Sequence, residues 1–169
     1  LARWPDLPNS WYNLAVLQRR LRRFDAALAS YQQALNRGVS RPEEVHLNRG
    51  VIYSDFLRQD DAAERELQTA LALNPDYVPA LSNLANLKSD LGQRDAALAP
   101  YERILAIDSH CYEGLARYAN LKSVKGTDDP LIGMLRQALA DSAAASTVKA
   151  SVAFALGKEN APAVLVHRD

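Results

Sequence analysis

A short pattern returns along the chain at a nearly fixed step. Gly50, Leu84 and Tyr118 are each 34 residues apart, and so are the residues that follow them, Val51, Ala85 and Ala119. Leu14-Ala15 opens the series 36 residues before Gly50. A second set keeps the same step: Ala27, Tyr31 and Ala34, then Ala63, Leu67 and Ala70, then Ala97, Tyr101 and Ile104. Two helix-length segments per period of about 34 residues define an array of stacked helical hairpins, in which each hairpin buries its apolar face on its neighbours.

Within each period the apolar residues recur at helical spacing. The first helices carry Trp11, Leu14 and Leu17; Leu47, Val51 and Ile52; and Leu81, Leu84 and Leu87. Small residues where helices cross let backbones approach, and large ones fill the space between layers. Asn74-Pro75 ends a helix, because proline has no N–H to donate and disfavours helix in the residue before it. Asp108-Ser109 occupies the equivalent place one period later, where either side chain is expected to cap the next helix. The two extra residues of the first interval are expected in the loop Gly38–Pro42, where insertion costs little. Trp4-Pro5 reads as the tail of an earlier helix, so the chain is expected to be part of something longer.

After Leu121 the pattern departs. In Lys125-Gly126-Thr127-Asp128-Asp129-Pro130, Asp129 caps and Pro130 starts a helix through about Ala140. Ala143–Ser146 reads as a joint. A last helix follows over Thr147–Lys158, with Val148, Val152, Phe154, Ala155 and Leu156 on its apolar side. The tail from Glu159 onward is expected to be irregular.

These residues resemble the tetratricopeptide repeat (TPR) family over about Pro8 to Lys122. Trp11-Tyr12-Asn13-Leu14-Ala15 and Leu81-Ser82-Asn83-Leu84-Ala85 fit its first helix, and Leu71-Ala72-Leu73-Asn74-Pro75 fits its closing segment. Gly50-Val51 departs by one place, and Val39 and Ser109 replace the closing proline. The resemblance implies an all-α, right-handed α-solenoid of antiparallel helix pairs with a non-standard C-terminal helical segment. Its parts are the tail of a preceding repeat (1–7), three repeats (8–42, 43–77 and 78–111), the first helix of an atypical fourth (112–127), a helical cap or junction (128–160) and an irregular tail (161–169). Asp128-Asp129-Pro130-Leu131-Ile132 with Phe154-Ala155-Leu156-Gly157-Lys158 further resembles the junction after the repeats in bacterial TPR–sulfotransferase proteins, whose catalytic domain lies beyond that point.

The resemblance also implies a concave groove lined by first helices. Into it would project the residues just before Leu14, Gly50, Leu84 and Tyr118, namely Asn13, Arg49, Asn83 and Arg117. Three positions beyond the last two lie Asn86 and Asn120, and Arg19 and Arg20 lie deeper in the first repeat. A carboxamide offers a donor and an acceptor to any peptide bond, whereas a guanidinium favours carboxylates. The expected partner is therefore a protein or extended peptide with some acidic character, or a neighbouring domain of the same polypeptide. For the alternative, the repeats would present an acceptor polypeptide to a sulfotransferase whose catalytic domain is outside this chain.

Twenty basic and twenty acidic residues cancel, which argues against nucleic acid and an anionic membrane as partners. Cys111 fits a structural role and a reducing, cytoplasmic setting. His46, His110 and His167 are scattered without metal-ligand spacing. His167-Arg168-Asp169 imitates a kinase triplet by chance, since no glycine loop accompanies it. No phosphate loop or nucleophile elbow occurs, so neither catalysis nor a cofactor is expected of this chain. Tyr12, Tyr53, Tyr77 and Tyr112 read as packing or rim residues. The expected oligomeric state is a monomer or a weak homodimer.

Overall fold

A computed structural model describes residues 7–122, 129–142 and 144–160, with side chains described as far as Gly157. The expectations for Trp4-Pro5, for 125–128, for Ala143 and for the tail 161–169 lie outside these residues. Among the described residues every regular element is helical: α1 (Pro8–Arg20), α2 (Phe24–Asn36), α3 (Pro42–Val51), α4 (Asp60–Leu73), α5 (Val78–Asp90), α6 (Arg94–Ile107), α7 (Tyr112–Leu121), α8 (Pro130–Ala140) and α9 (Ser146–Asn160). A π-helical segment, Ile52–Leu57, prolongs α3. The chain divides into two compact units, one ending at Leu91 and the other beginning at Gly92.

In the first unit each helix packs on the next, from α1 to α5. Proline opens α1 and α3 and stands at the start of α5, where its missing N–H is no loss and its fixed φ suits the helix. Asn74 ends α4 in an extended conformation, and its Oδ1 accepts the N–H of Asp76 at 3.2 Å. The core follows the small-and-large division of the sequence. Ala15, Ala27, Ala34 and Tyr31 are fully buried with Val45 and Ile52, and Ala63, Leu67, Ala70 and Ala80 form a second cluster.

The two additional residues are not in the loop 38–42. From the start of a first helix to the start of the helix paired with it by sequence, Pro8 to Phe24 and Val78 to Arg94 are both 16 positions, whereas Pro42 to Asp60 is 18. They are taken up within the first helix of the second repeat, where the π segment lies. One lies between Pro42 and Gly50 and the other between Gly50 and the turn at Arg58, where the π segment, holding more residues than an α turn, lets the helix return to the turn in step. Arg22 and Arg58 hold the left-handed conformation at the helix turns, φ 58° and 55°. Gly92 takes φ 73° at the corresponding place, the conformation glycine adopts without strain.

In the second unit α6 packs on α7, and α7, α8 and α9 pack together. Asp129 caps α8 as its sequence implies, its Oδ1 accepting the Leu131 N–H at 2.9 Å. Two expectations fail here. Neither Asp108 nor Ser109 caps α7: Asp108 accepts the N–H of His110 at 2.8 Å instead, closing a local turn before the helix begins. Phe154 is not on the buried side of α9 but is 70% exposed, while Val152 and Ala155 are the residues that pack inward. Apolar and small residues surround α9 on every side, so spacing alone did not single out a face.

Gly50 sets the distance between α3 and α4. A Cβ there would lie 3.0 Å from Leu67 Cγ and 3.1 Å from Cδ2, and Leu67 is itself only 1% exposed. Gly50→Ala should therefore destabilise the fold by about 1–3 kcal/mol, despite alanine's better helix propensity. Urea unfolding checks this, and a variant as stable as the parent would show that Leu67 yields. Combined with Leu67→Ala, the two costs should be less than additive.

Candidate functional site

The buried small residue of each first helix fixes which side chains share its other faces. Ala15, Gly50, Ala85 and Ala119 are the residues buried in this way on α1, α3, α5 and α7. Two positions earlier stand Asn13, Asn48, Asn83 and Arg117. The first three lie in the unit ending at Leu91 and are each 35 residues apart.

Arg49 does not belong to this set. It corresponds to Leu14 and Leu84, which stand one position before the small residue and are partly buried. Its Nη2 pairs with Glu66 Oε1 on α4 at 2.8 Å, and its Nη1 donates to Gln32 Oε1 on α2 at 2.7 Å. His46 Nδ1 lies 2.7 Å from the other oxygen of Glu66. Arg49 is thus held among second helices, its charge committed to an internal carboxylate. The period-34 frame aligned Gly50 with Leu14, whereas burial aligns it with Ala15. A frame anchored on the small residue would have found Asn48.

Asn48 and Asn83 adopt the same arrangement. Each Nδ2 donates to the carbonyl four residues back, Glu44 and Pro79 respectively, at 2.8 Å in both cases. Asn48 Nδ2 also reaches the Tyr12 hydroxyl on α1 at 3.3 Å. Asn13 is exposed. Asn86 is half-buried on α5, as is Arg19 near the end of α1, while Arg20 beside it is exposed. In the second unit Arg117 pairs with Glu113 on its own helix at 3.3 Å. The Asn120 carbonyl there accepts from Arg94 Nη2 at 3.2 Å.

A cluster that the sequence reading did not single out surrounds Glu44. Tyr12 donates its hydroxyl to Glu44 Oε1 at 2.6 Å, and its ring meets Tyr31 edge-on with centroids 5.8 Å apart. Arg41 Nη1 approaches Glu44 Oε2 at 3.4 Å. Burial, then the bond to Glu44 and its charge, raise the Tyr12 phenol above the usual range. Burial pushes Tyr31 up to about 12, with Arg19 opposing and Glu44 adding to the rise. Tyr77, ahead of α5, is raised by burial first and then by Glu44. Tyr12, Tyr53 and Tyr77 pack against the buried clusters, and Tyr12 also brings the first two repeats together through a charged acceptor.

Among the described residues no group of three or more His, Cys, Asp or Glu side chains is placed to hold a metal ion, and no helix is long and apolar enough to cross a membrane. Cys111 stands just before α7 with its Sγ against Gly114.

The chain is a helical-hairpin repeat protein, with paired helices and a small buried residue on each first helix. A family model described as Tetratricopeptide repeat matches residues 10–44, and the chain has the TPR fold. It is similar to the first TPR of Spaghetti (RPAP3), solved bound to HSP90 peptide SRMEEVD, at 20% identity over 68% of this chain and 91% of that one, with TM-score 0.60. YrrB, a TPR protein with an unusual peptide-binding site, matches at 17% identity over 91% of this chain and 75% of its own, with TM-score 0.63. PilW, a type IV pilus biogenesis factor, matches at 22% identity over 86% and 67%, with TM-score 0.69. No curated protein sequence is a match.

The raised tyrosines predict a pH dependence. The ordinary phenol pKa is about 10. Between pH 10 and 12 the folded state keeps the Tyr31 proton that the unfolded chain loses, so this contribution is full below pH 10 and falls as pH rises through that window. Tyr31→Phe should flatten the loss, as read by urea unfolding at pH 9, 10 and 11. Parallel declines for parent and variant would refute the assignment.

Proposed function

We propose that the chain is a protein-interaction scaffold that takes an extended peptide, or a segment of a neighbouring domain, along the first helices of the unit ending at Leu91. The observation that carries this reading is the recurrence of Asn13, Asn48 and Asn83 two residues before the buried small residue of α1, α3 and α5. The shared back-bond of Asn48 and Asn83 engages the amide of each side chain and leaves Oδ1 to accept the N–H of a passing peptide bond. A backbone-directed contact of this kind accepts many side chains. Asn86, Arg19 and Arg20 flank the asparagines. In the second unit Arg117 and Asn120 occupy the matching positions on α7, where Arg117, a donor only, suits a carboxylate in place of a peptide carbonyl and N–H. Arg49, committed to Glu66, is not included. The solved TPR structures described as peptide-bound or peptide-binding lend support to this use of the fold. A cytoplasmic setting accords with the single, partly buried cysteine.

The test is a double variant, Asn48→Ala with Asn83→Ala. Heptapeptides selected from a random library against the parent chain should lose about tenfold in affinity or more, since each lost hydrogen bond is worth about 1 kcal/mol. Helical circular dichroism should stay unchanged. Undiminished binding by a folded double variant would rule out the asparagine ladder.

A further inference from the structure

We infer that Glu44 makes this first-helix face a receptor for a basic side chain, an arginine in the first place, on the extended segment that binds there. We infer also that Arg41 occupies that place in the free protein. The inference rests on the reading of the asparagine face given above and adds the chemistry of the partner.

The surroundings of Glu44 are those a cation selects. Its Oε1 accepts from the Tyr12 hydroxyl at 2.6 Å, so the carboxylate is fixed by a neutral donor that leaves its charge in place. The Asn48 carboxamide, 3.3 Å from the same hydroxyl, lies beside it, so a segment engaged by Asn48 passes within reach of the acid. Tyr12 and Tyr77 are both partly exposed near Glu44 and offer aromatic surface. Such surface attracts a guanidinium, by cation–π contact and by stacking. Glu43, next in sequence, adds a second carboxylate to the first turn of α3.

The chain itself shows which group fits. Arg41, in the loop before α3, brings Nη1 to 3.4 Å from Glu44 Oε2 and Nε to 3.3 Å from Glu43 Oε1. Its side chain is 60% exposed, and an exposed pair of this geometry holds weakly. The other acids bonded to cations in this unit are more enclosed. Glu66 is held by Arg49 and His46 with all three side chains at 18% exposure or less, and Glu64 by a largely buried Lys88. Glu44, with Glu43 sharing the same exposed Arg41, is therefore the carboxylate site of this face whose cation can be exchanged at little cost. A ligand arginine that replaces Arg41 gains the bidentate geometry that Arg41, reaching from its own loop, does not attain.

Arg19 and Arg20 are the cations of the same face that would favour an acidic segment instead. They lie in the last turn of α1, two turns and about 10 Å along the helix axis from Tyr12, with Arg19 facing Tyr31. Their charge leaves the local preference at Glu44 intact.

The experiment uses three acetylated and amidated heptapeptides of glycine and alanine with a central arginine, norleucine or glutamate, titrated into the isotope-labelled full chain by NMR. The arginine probe should bind at least tenfold tighter than the norleucine probe, and the glutamate probe should bind weakest. Glu44→Gln, which keeps an acceptor for Tyr12, should erase that ranking. Arg41→Ala should tighten the arginine probe several-fold, while Asp61→Asn, on an exposed turn of α4, should leave it unchanged. Equal affinities for the three probes, with binding still weakened by the double asparagine change, would overturn the inference and leave the groove reading standing. If none of the probes binds at millimolar concentration, both fall. Weaker arginine binding by Arg41→Ala would show that Arg41 belongs to the receptor and would likewise overturn the inference.

Discussion

Close approach of paired helices at a single small residue governs the first unit. Between α3 and α4 a methyl group at Gly50 would crowd Leu67, whose Cγ and Cδ2 would lie 3.0 and 3.1 Å from a Cβ there. The same role falls to Ala15 on α1 and Ala85 on α5, both fully buried. Once that contact is set, rotation of the helix about its axis is set too. Each remaining side chain is then assigned either to the partner helix or to the opposite face. A methyl-sized difference in the core thereby decides which polar groups lie away from the partner helix.

This explains why the fold was legible in the sequence and part of the site was not. The repeat appears twice in the sequence, once in the first helices and once in the second, and either copy suffices to place the hairpins. The proline starts, the Asn74 ending and the Asp129 cap are each local chemistry that distant contacts do not alter. Side-chain direction within α3 is different, because it depends on register to a single residue. A spacing of 36 followed by one of 34 does not reveal where the two extra residues go. A loop is the cheaper place in general, but here the first helix of the second repeat takes them, where the π segment lies. Arg49 and Asn48 exchange roles on that one-residue difference. Phe154 illustrates another limit: where a helix is apolar or small on all sides, periodicity has no contrast to read.

The charges of the first unit divide by enclosure. Arg49, His46 and Glu66 form a compact group between α3 and α4, extended to α2 by Gln32. Removing one member would leave the others short of a partner in a poorly hydrated place, which makes such a group costly to break and of little use for binding. Glu44 has one firm bond, from a neutral hydroxyl, and one loose cationic contact. Two glutamates on neighbouring helices of one hairpin thus serve opposite ends, one closing the structure and the other facing outward.

The tyrosine at the first crossing connects these levels. Tyr12 packs its ring edge-on against the buried Tyr31 and places its hydroxyl between Glu44 and Asn48. Its ring belongs to the core cluster of the first repeat, and its oxygen belongs to the polar face of the second. A rigid aromatic stem therefore sets the position of the one acid and the one carboxamide that a bound segment would meet together. Because the stem is clamped by packing and its tip by a short hydrogen bond, little side-chain freedom is left to lose when a ligand arrives, and the polar face is ordered in advance by the same contacts that stack the repeats.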